Sequence, residues 1–136
     1  MLAVSRLSRR GHNIIRHTSL SANHRWMSAV VNLSDLDAVT KFRNINSKSV
    51  VYLTATWCPP CKMISPIYDE LSKDDAFHQV AFGKVDVDEN QEAAMKFEVS
   101  AVPTFVFSNN GTDVVNKFSG ADKEQLKTLL TDLKNS

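Results

Sequence analysis

Apolar positions in this chain fall into short runs, separated by longer stretches in which they recur every three or four residues. Residues 29–33 form such a run and predict a first strand. Leu36, Val39 and Phe42 then make the buried stripe of a first helix, with Ser34 as its N-cap and Asp35 and Asp37 behind it. Residues 49–55 suit a central strand covered on both faces. Ile64, Ile67, Tyr68 and Leu71 mark a second helix, which Pro66 is expected to kink by removing one internal hydrogen bond. A third strand is predicted over 80–87 and a third helix over roughly 89–98. Residues 104–108 and 112–118 flank Asn109-Asn110-Gly111, a hairpin signal because Asn-Gly tolerates positive φ. Asp122 caps a last helix whose Leu126, Leu129, Leu130 and Leu133 face the sheet. The order βαβαβαββα predicts an α/β fold with a mixed central β-sheet and helices on both faces. Helix crossovers imply parallel pairs early, and the hairpin makes the last pair antiparallel.

Composition adds a division that periodicity does not show. The 136 residues suit one domain. The net charge of +1 hides an asymmetry, because residues 1–34 hold five arginines, three histidines and no carboxylate. The remainder keeps 11 basic against 15 acidic residues, a net −4. A basic head on an acidic body argues against nucleic-acid binding, which needs its positive charge on the folded surface. No apolar run nears the roughly 18 residues that span a bilayer. The head is Arg-rich, Ser-bearing and acid-free, the composition of a mitochondrial transit peptide, whereas a secretory signal needs an unbroken apolar segment. Residues 1–28 are therefore read as a cleaved leader, with cleavage near Ser28 after Arg25-Trp26-Met27, and 29–136 as the domain. The bland alternative is a basic arm retained on the protein.

The chemistry lies in Trp57-Cys58-Pro59-Pro60-Cys61, between the central strand and the second helix. Cys58 and Cys61 are the only cysteines, and strand, Cys-x-x-Cys, helix is the layout of a dithiol redox site. The positive end of the helix favours thiolate at Cys58. A second thiol three residues away can resolve the mixed disulfide that the first one forms. Cys58 is read as the more exposed nucleophile and Cys61, one turn inside, as the resolving thiol. An inert local disulfide closes too short a loop to constrain the unfolded chain much. Zinc would need two more ligands, and His78 is the only histidine outside the head. Pro59 and Pro60 lack N–H groups, suit a first helical turn and stiffen the loop. Trp57 is read as part of an apolar docking rim beside Cys58. Asp86, Asp88, Glu89 and Glu92 read as a solvated helix entrance, not a metal site.

These features resemble the thioredoxin family over residues 29–134. Val51 to Cys61 with Lys62 and Pro66, Lys84-Val-Asp-Val-Asp88, Val102-Pro103-Thr104-Phe105, Asn110-Gly111 and Gly120-Ala121 follow in the family's order and spacing. The resemblance implies a thioredoxin fold and a mitochondrial disulfide reductase without a bound cofactor. Its redox group would be the cysteine pair, recharged from NADPH by a thioredoxin reductase-type donor. It implies peroxiredoxins and other disulfide proteins as clients and a monomer, which the basic leader assigns to the mitochondrial matrix. It also implies a cis bond at Pro103, which turns the Val102 backbone toward Cys58 to pair with an extended substrate. Two departures point toward tryparedoxins and nucleoredoxins: Pro59 replaces the usual glycine, and Tyr52 replaces a buried aspartate that takes the resolving cysteine's proton. Tyr52 either orders a water for that task or fills core volume. Lys84 either modulates proton transfer beneath the site or is a surface strand-end lysine. A potential in the reducing half of the family's span is expected, between about −270 mV and about −120 mV. A tryparedoxin-like reductase with another electron donor, or a binding module on the same scaffold, are the competing readings.

Overall fold

The computed structural model describes residues 29–136; the leader expected over 1–28 lies outside them. Five strands and four α-helices follow in the expected order: β1 (Val30–Asn32), α1 (Leu36–Ile45), β2 (Lys48–Thr54), α2 (Pro59–Lys73), β3 (Ala81–Asp86), α3 (Gln91–Lys96), β4 (Thr104–Asn109), β5 (Asp113–Ser119) and α4 (Lys123–Asn135). A short 3-10 turn at Asp75–Phe77, which the apolar pattern did not announce, joins α2 to β3. The strands form one sheet in the order β1-β3-β2-β4-β5. β3 pairs parallel with β1 and β2, whereas β4 pairs antiparallel with β2 and β5. Asn110 and Gly111 both take positive φ, 53° and 85°, as the Asn-Gly turn requires.

Strand alternation sends two sets of side chains to opposite faces. Val50, Tyr52, Phe82, Phe105 and Phe107 meet α2 and α4 through Ile64, Tyr68, Leu126 and Leu130. Val51, Leu53, Val85 and Val106 meet α1 and α3 through Val39, Phe42, Ala93 and Phe97. The second core is tight where α1 crosses the sheet. A Cβ on Gly83 would lie 2.8 Å from Leu33 Cδ1 and 2.9 Å from Phe42 Cε2, so only glycine lets that helix approach. In the first core, Tyr68 donates to the carbonyl of Gly83 at 2.7 Å, and its burial pushes the hydroxyl pKa well above the usual 10.

Three local expectations change. The cap of α1 is Asp35, not Ser34: Asp35 Oδ1 accepts the Ala38 N–H at 2.7 Å. α3 starts at Gln91, not near Glu89, because Asn90 is its cap and accepts from the Ala93 N–H. Of the acid cluster only Glu92 sits in the helical first turn; Asp86 Oδ1 instead accepts the Asp88 N–H in the preceding turn. Pro66 lies inside α2, which continues through it with one internal donor missing. Among the described residues, no helix is long and apolar enough to cross a membrane, and no group of three or more His, Cys, Asp or Glu could hold a metal.

The reassigned cap gives a direct test. Asp35→Ala is expected to lower stability by about 0.5–2 kcal/mol, whereas Ser34→Ala leaves the urea midpoint nearly unmoved. Equal losses from both would return the cap to Ser34.

Candidate active site

The carboxyl end of β2 delivers the chain to the start of α2, and three segments meet there. They are the Cys58–Cys61 turn, the β3–α3 turn at Val87 and Asp88, and the loop before β4 at Val102 and Pro103. Cys58 and Cys61 form a disulfide with their Cα atoms 5.3 Å apart, packed with Ala55, Val87 and Val102. Both cysteines are 2% exposed, so Cys58 is not the more accessible of the two in this oxidised state. Its sulfur is set apart by position instead.

Cys58 is the N-cap of α2, and Pro59 and Pro60 fill the first two helical positions. A helix begins with four N–H groups that lack helical partners. Two of them are absent here because both residues are prolines. Of the others, Cys58 N–H donates to the Ala55 carbonyl at 3.3 Å and Cys61 N–H points at Cys58 Sγ at 3.2 Å, while Lys62 N–H makes the first helical bond, to the Cys58 carbonyl. The Cys61 donor escaped the sequence reading, which weighed only the prolines. Its signal was the N-cap rule itself, since the N3 N–H is the group a cap accepts from. A thiolate at Cys58 would accept this N–H about twice as strongly as a neutral sulfur, because a charged acceptor strengthens such a bond.

The Val102–Pro103 peptide is cis, and the Val102 carbonyl lies 3.6 Å from Cys58 Sγ. That loop is fixed from behind. Thr104 Oγ1 donates to the Ala101 carbonyl at 2.6 Å, and Gly120 N–H donates to the Pro103 carbonyl at 2.9 Å. Trp57 is 65% exposed, with its indole N–H donating to Asp88 Oδ2 at 2.9 Å. It lines a groove of about 200 Å³ with Val87, Ala94, Val99 and Val102.

Tyr52 lies beneath the helix start, fully buried and stacked on Phe105 with ring centroids 4.9 Å apart. Its hydroxyl donates to the Cys61 carbonyl at 3.0 Å and is 2.7 Å from Ser65 Oγ. Tyr52 thus fills core volume and also holds polar contacts with the site helix. Lys84, opposite Tyr52 in the β2–β3 register, is half-buried. It lines a cavity of about 310 Å³ that also touches Cys61, Ser65 and Asp86. Ser65 was missed in the sequence, although it lies four residues after Cys61 and so shares its helix face.

The thioredoxin family profile matches residues 29–132. The chain belongs to the thioredoxin family. It is 48% identical to thioredoxin H4 of Arabidopsis thaliana over 87 residues, covering 64% of this chain and 71% of that protein. It is 38% identical to the mitochondrial thioredoxin-3 of Saccharomyces cerevisiae over 112 residues, covering 80% of this chain and 86% of that protein. The oxidised structure of that yeast protein superposes with a TM-score of 0.72 at 36% identity, covering 79% of this chain and 100% of that one. A chain solved in work on the thiol resolving mechanism of yeast mitochondrial 1-Cys peroxiredoxin, via glutathione/thioredoxin systems, gives a TM-score of 0.71 at 36% identity, with 76% of this chain and 95% of that one covered. The fold is the thioredoxin fold, and the protein is a thiol–disulfide oxidoreductase whose redox group is its cysteine pair. Thioredoxins work with reductases and with disulfide-bearing substrates.

With the indole next in sequence to Cys58, reduction of the pair is expected to change tryptophan fluorescence in the parent protein and leave Trp57→Phe silent. A parent emission indifferent to reduction would separate the indole from the redox centre.

Proposed function

We propose that the chain works in the mitochondrial matrix as a reductant of protein disulfides, with Cys58 as nucleophile and Cys61 as resolving thiol. The observation that carries this reading is the single N–H of Cys61 aimed at Cys58 Sγ at the helix start. Cys58 is the sulfur whose negative charge that donor and the helix end favour. Its thiolate attacks a substrate disulfide, one substrate sulfur leaves as thiolate, and a mixed disulfide forms. Cys61 then loses its proton and attacks Cys58 Sγ, and the second substrate sulfur leaves. Two electrons have passed to the substrate, and the Cys58–Cys61 disulfide remains. A reductase drawing on NADPH returns the pair to the dithiol.

Substrate docking falls to Trp57 and to the Val102–Pro103 segment. A peptide laid in extended form along Val102 can pair with its backbone while the groove takes apolar side chains. Peroxiredoxins suit this reading as clients, in line with the peroxiredoxin setting of one similar structure. The matrix location rests on the acid-free, Arg-rich residues 1–28 and on likeness to a yeast mitochondrial thioredoxin. Pro59 and Tyr52 favour a second reading of the electron supply, in which a low-molecular-weight thiol replaces the reductase. Recycling assayed with a thioredoxin reductase against glutathione separates the two.

The Cys61→Ser protein is expected to accumulate a mixed disulfide with an oxidised peroxiredoxin, visible as a band that dithiothreitol removes. Cys58→Ser is expected to form none, and trapping through Cys61 alone would reverse the two roles. Intact mass of the protein purified from its cells is expected to begin near Ser28. A mass that still includes Leu2 to Met27 would refute the leader.

A further inference from the structure

Donor accounting around Tyr52 leaves one hydroxyl with a defined task. Tyr52 carries a single proton, and the Cys61 carbonyl 3.0 Å away can only accept it. The 2.7 Å contact with Ser65 must then run the other way, with Ser65 donating to the Tyr52 oxygen. Ser65 Oγ is left with lone pairs and no proton to offer. It lines the cavity of about 310 Å³ that Cys61 also lines, together with Thr54, Thr56, Lys84 and Asp86. A water takes up about 30 Å³, so the space admits several, and it offers them polar partners. Its lining includes exposed Thr56 and Lys62, which open it to solvent.

Asp86 is the one carboxylate in that lining. The other charged groups there, Lys62 and Lys84, are cations and cannot accept a proton. Glu89 lines only an adjoining cavity of about 280 Å³, which shares Lys84 and Asp86 with the first. Asp88 is turned to the Trp57 indole. The position six residues before Cys58 holds a phenol that is already spent on the helix, so it offers Cys61 no base.

We propose that Ser65 is a positioning residue for the resolving step, and that Asp86 takes the Cys61 proton through a water that Ser65 holds. The inference rests on Cys61 as the resolving thiol. In the step, the Cys61 S–H bond breaks and its proton passes to the water, which gives one of its own to the Asp86 carboxylate. The sulfur's electron pair forms the bond to Cys58 Sγ as the bond from Cys58 to the substrate sulfur breaks. The leaving substrate thiolate carries that electron pair away, and Asp86 returns its proton to solvent through the open side of the cavity. The proton thus leaves sideways through the helix–strand cleft, between α2 and the ends of β2 and β3.

The test uses the full chain with 5-thio-2-nitrobenzoate in mixed disulfide on Cys58, followed by stopped flow at neutral pH. Expulsion of the coloured thiolate reports attack by Cys61. Alkylation of Cys58 by iodoacetamide reports the first thiol alone. Ser65→Ala is expected to slow expulsion about tenfold, the weight of one hydrogen bond, and to leave Cys58 alkylation as in the parent. Ser65→Thr restores the rate, and Tyr52→Phe, which frees the Ser65 hydroxyl to rotate, behaves as Ser65→Ala does. Asp86→Asn is expected to slow expulsion as well, and to leave Cys58 alkylation as in the parent. The proposal falls if Ser65→Ala and Asp86→Asn both expel at the parent rate. It falls equally if each variant slows alkylation as much as expulsion, which is the mark of a merely structural role. Should Ser65→Ala fail to fold, Asp86→Asn decides alone by its rate of expulsion set against its rate of alkylation. A parent that never expels the label would instead defeat Cys61 as resolving thiol, a separate outcome.

Discussion

Strand β2 is paired on both edges, to β3 and β4, and covered on both faces by helices, so residues 50–53 lose all contact with solvent. Each of Val50, Val51 and Leu53 contributes about 1.5–3 kcal/mol by that burial. Two hydrophobic cores therefore converge on one strand, and its carboxyl end has little freedom left. The redox turn starts four residues beyond the end of that strand, at Cys58. A reactive sulfur must meet its partner and its hydrogen-bond donor with small positional error. Placing it at the end of the most constrained strand achieves this without rigidity in the loop itself. The loop before β4 arrives at the same place because β4 is antiparallel to β2 and starts where β2 ends.

The same constraint explains what was legible in the sequence. Periodicity exposed the buried stripes on Leu36, Val39 and Phe42 and on the leucines of α4, since those residues face a core and must be apolar. The Asn-Gly hairpin was legible because its positive φ values restrict the residue choice. The antiparallel pairing of β2 with β4 was not, because α3 links β3 to β4 without indicating on which side of β2 the chain returns. Caps fared worse where candidates stood side by side. Ser34 and Asp35 are both competent, and the fold uses the second, whose Oδ1 accepts the Ala38 N–H.

Polar groups in the interior were the least legible, for a physical reason. A buried polar residue is tolerated when its partners are right, and those partners come from distant parts of the chain. Arg43 is nearly fully buried, yet its guanidinium donates to Ser108 Oγ and to the Thr112 carbonyl and lies 5.0 Å from the Phe97 ring. Burial lowers its pKa from the usual value, against the pull of Asp113. Nothing local to α1 announces this clamp. Tyr52 is the parallel case on the other face: its hydroxyl is intelligible only once the helix carrying Cys61 and Ser65 lies over it. Ser49 has a buried hydroxyl without a partner, which costs the fold about 1–3 kcal/mol.

Two features of the motif act on the redox balance in opposite directions. Pro59 and Pro60 have no N–H to offer Cys58 Sγ, and among the described residues its donor is the Cys61 N–H. That bond is stronger to a thiolate than to a disulfide sulfur, so it favours the reduced state. Their fixed φ also holds the cysteine Cα atoms at 5.3 Å, within the range a disulfide needs, which favours the oxidised state. For a two-electron couple about 1.4 kcal/mol corresponds to about 30 mV. One hydrogen bond is worth about that much. The gap between a reducing thioredoxin and the strong periplasmic oxidants is about 150 mV, five times larger. Exchanging glycine for Pro59 alters a donor or a torsion, and neither is large enough to cross that gap. A donor or a torsion at Pro59 thus shifts the couple by about 30 mV, and a larger displacement would need a change in the charges around Cys58.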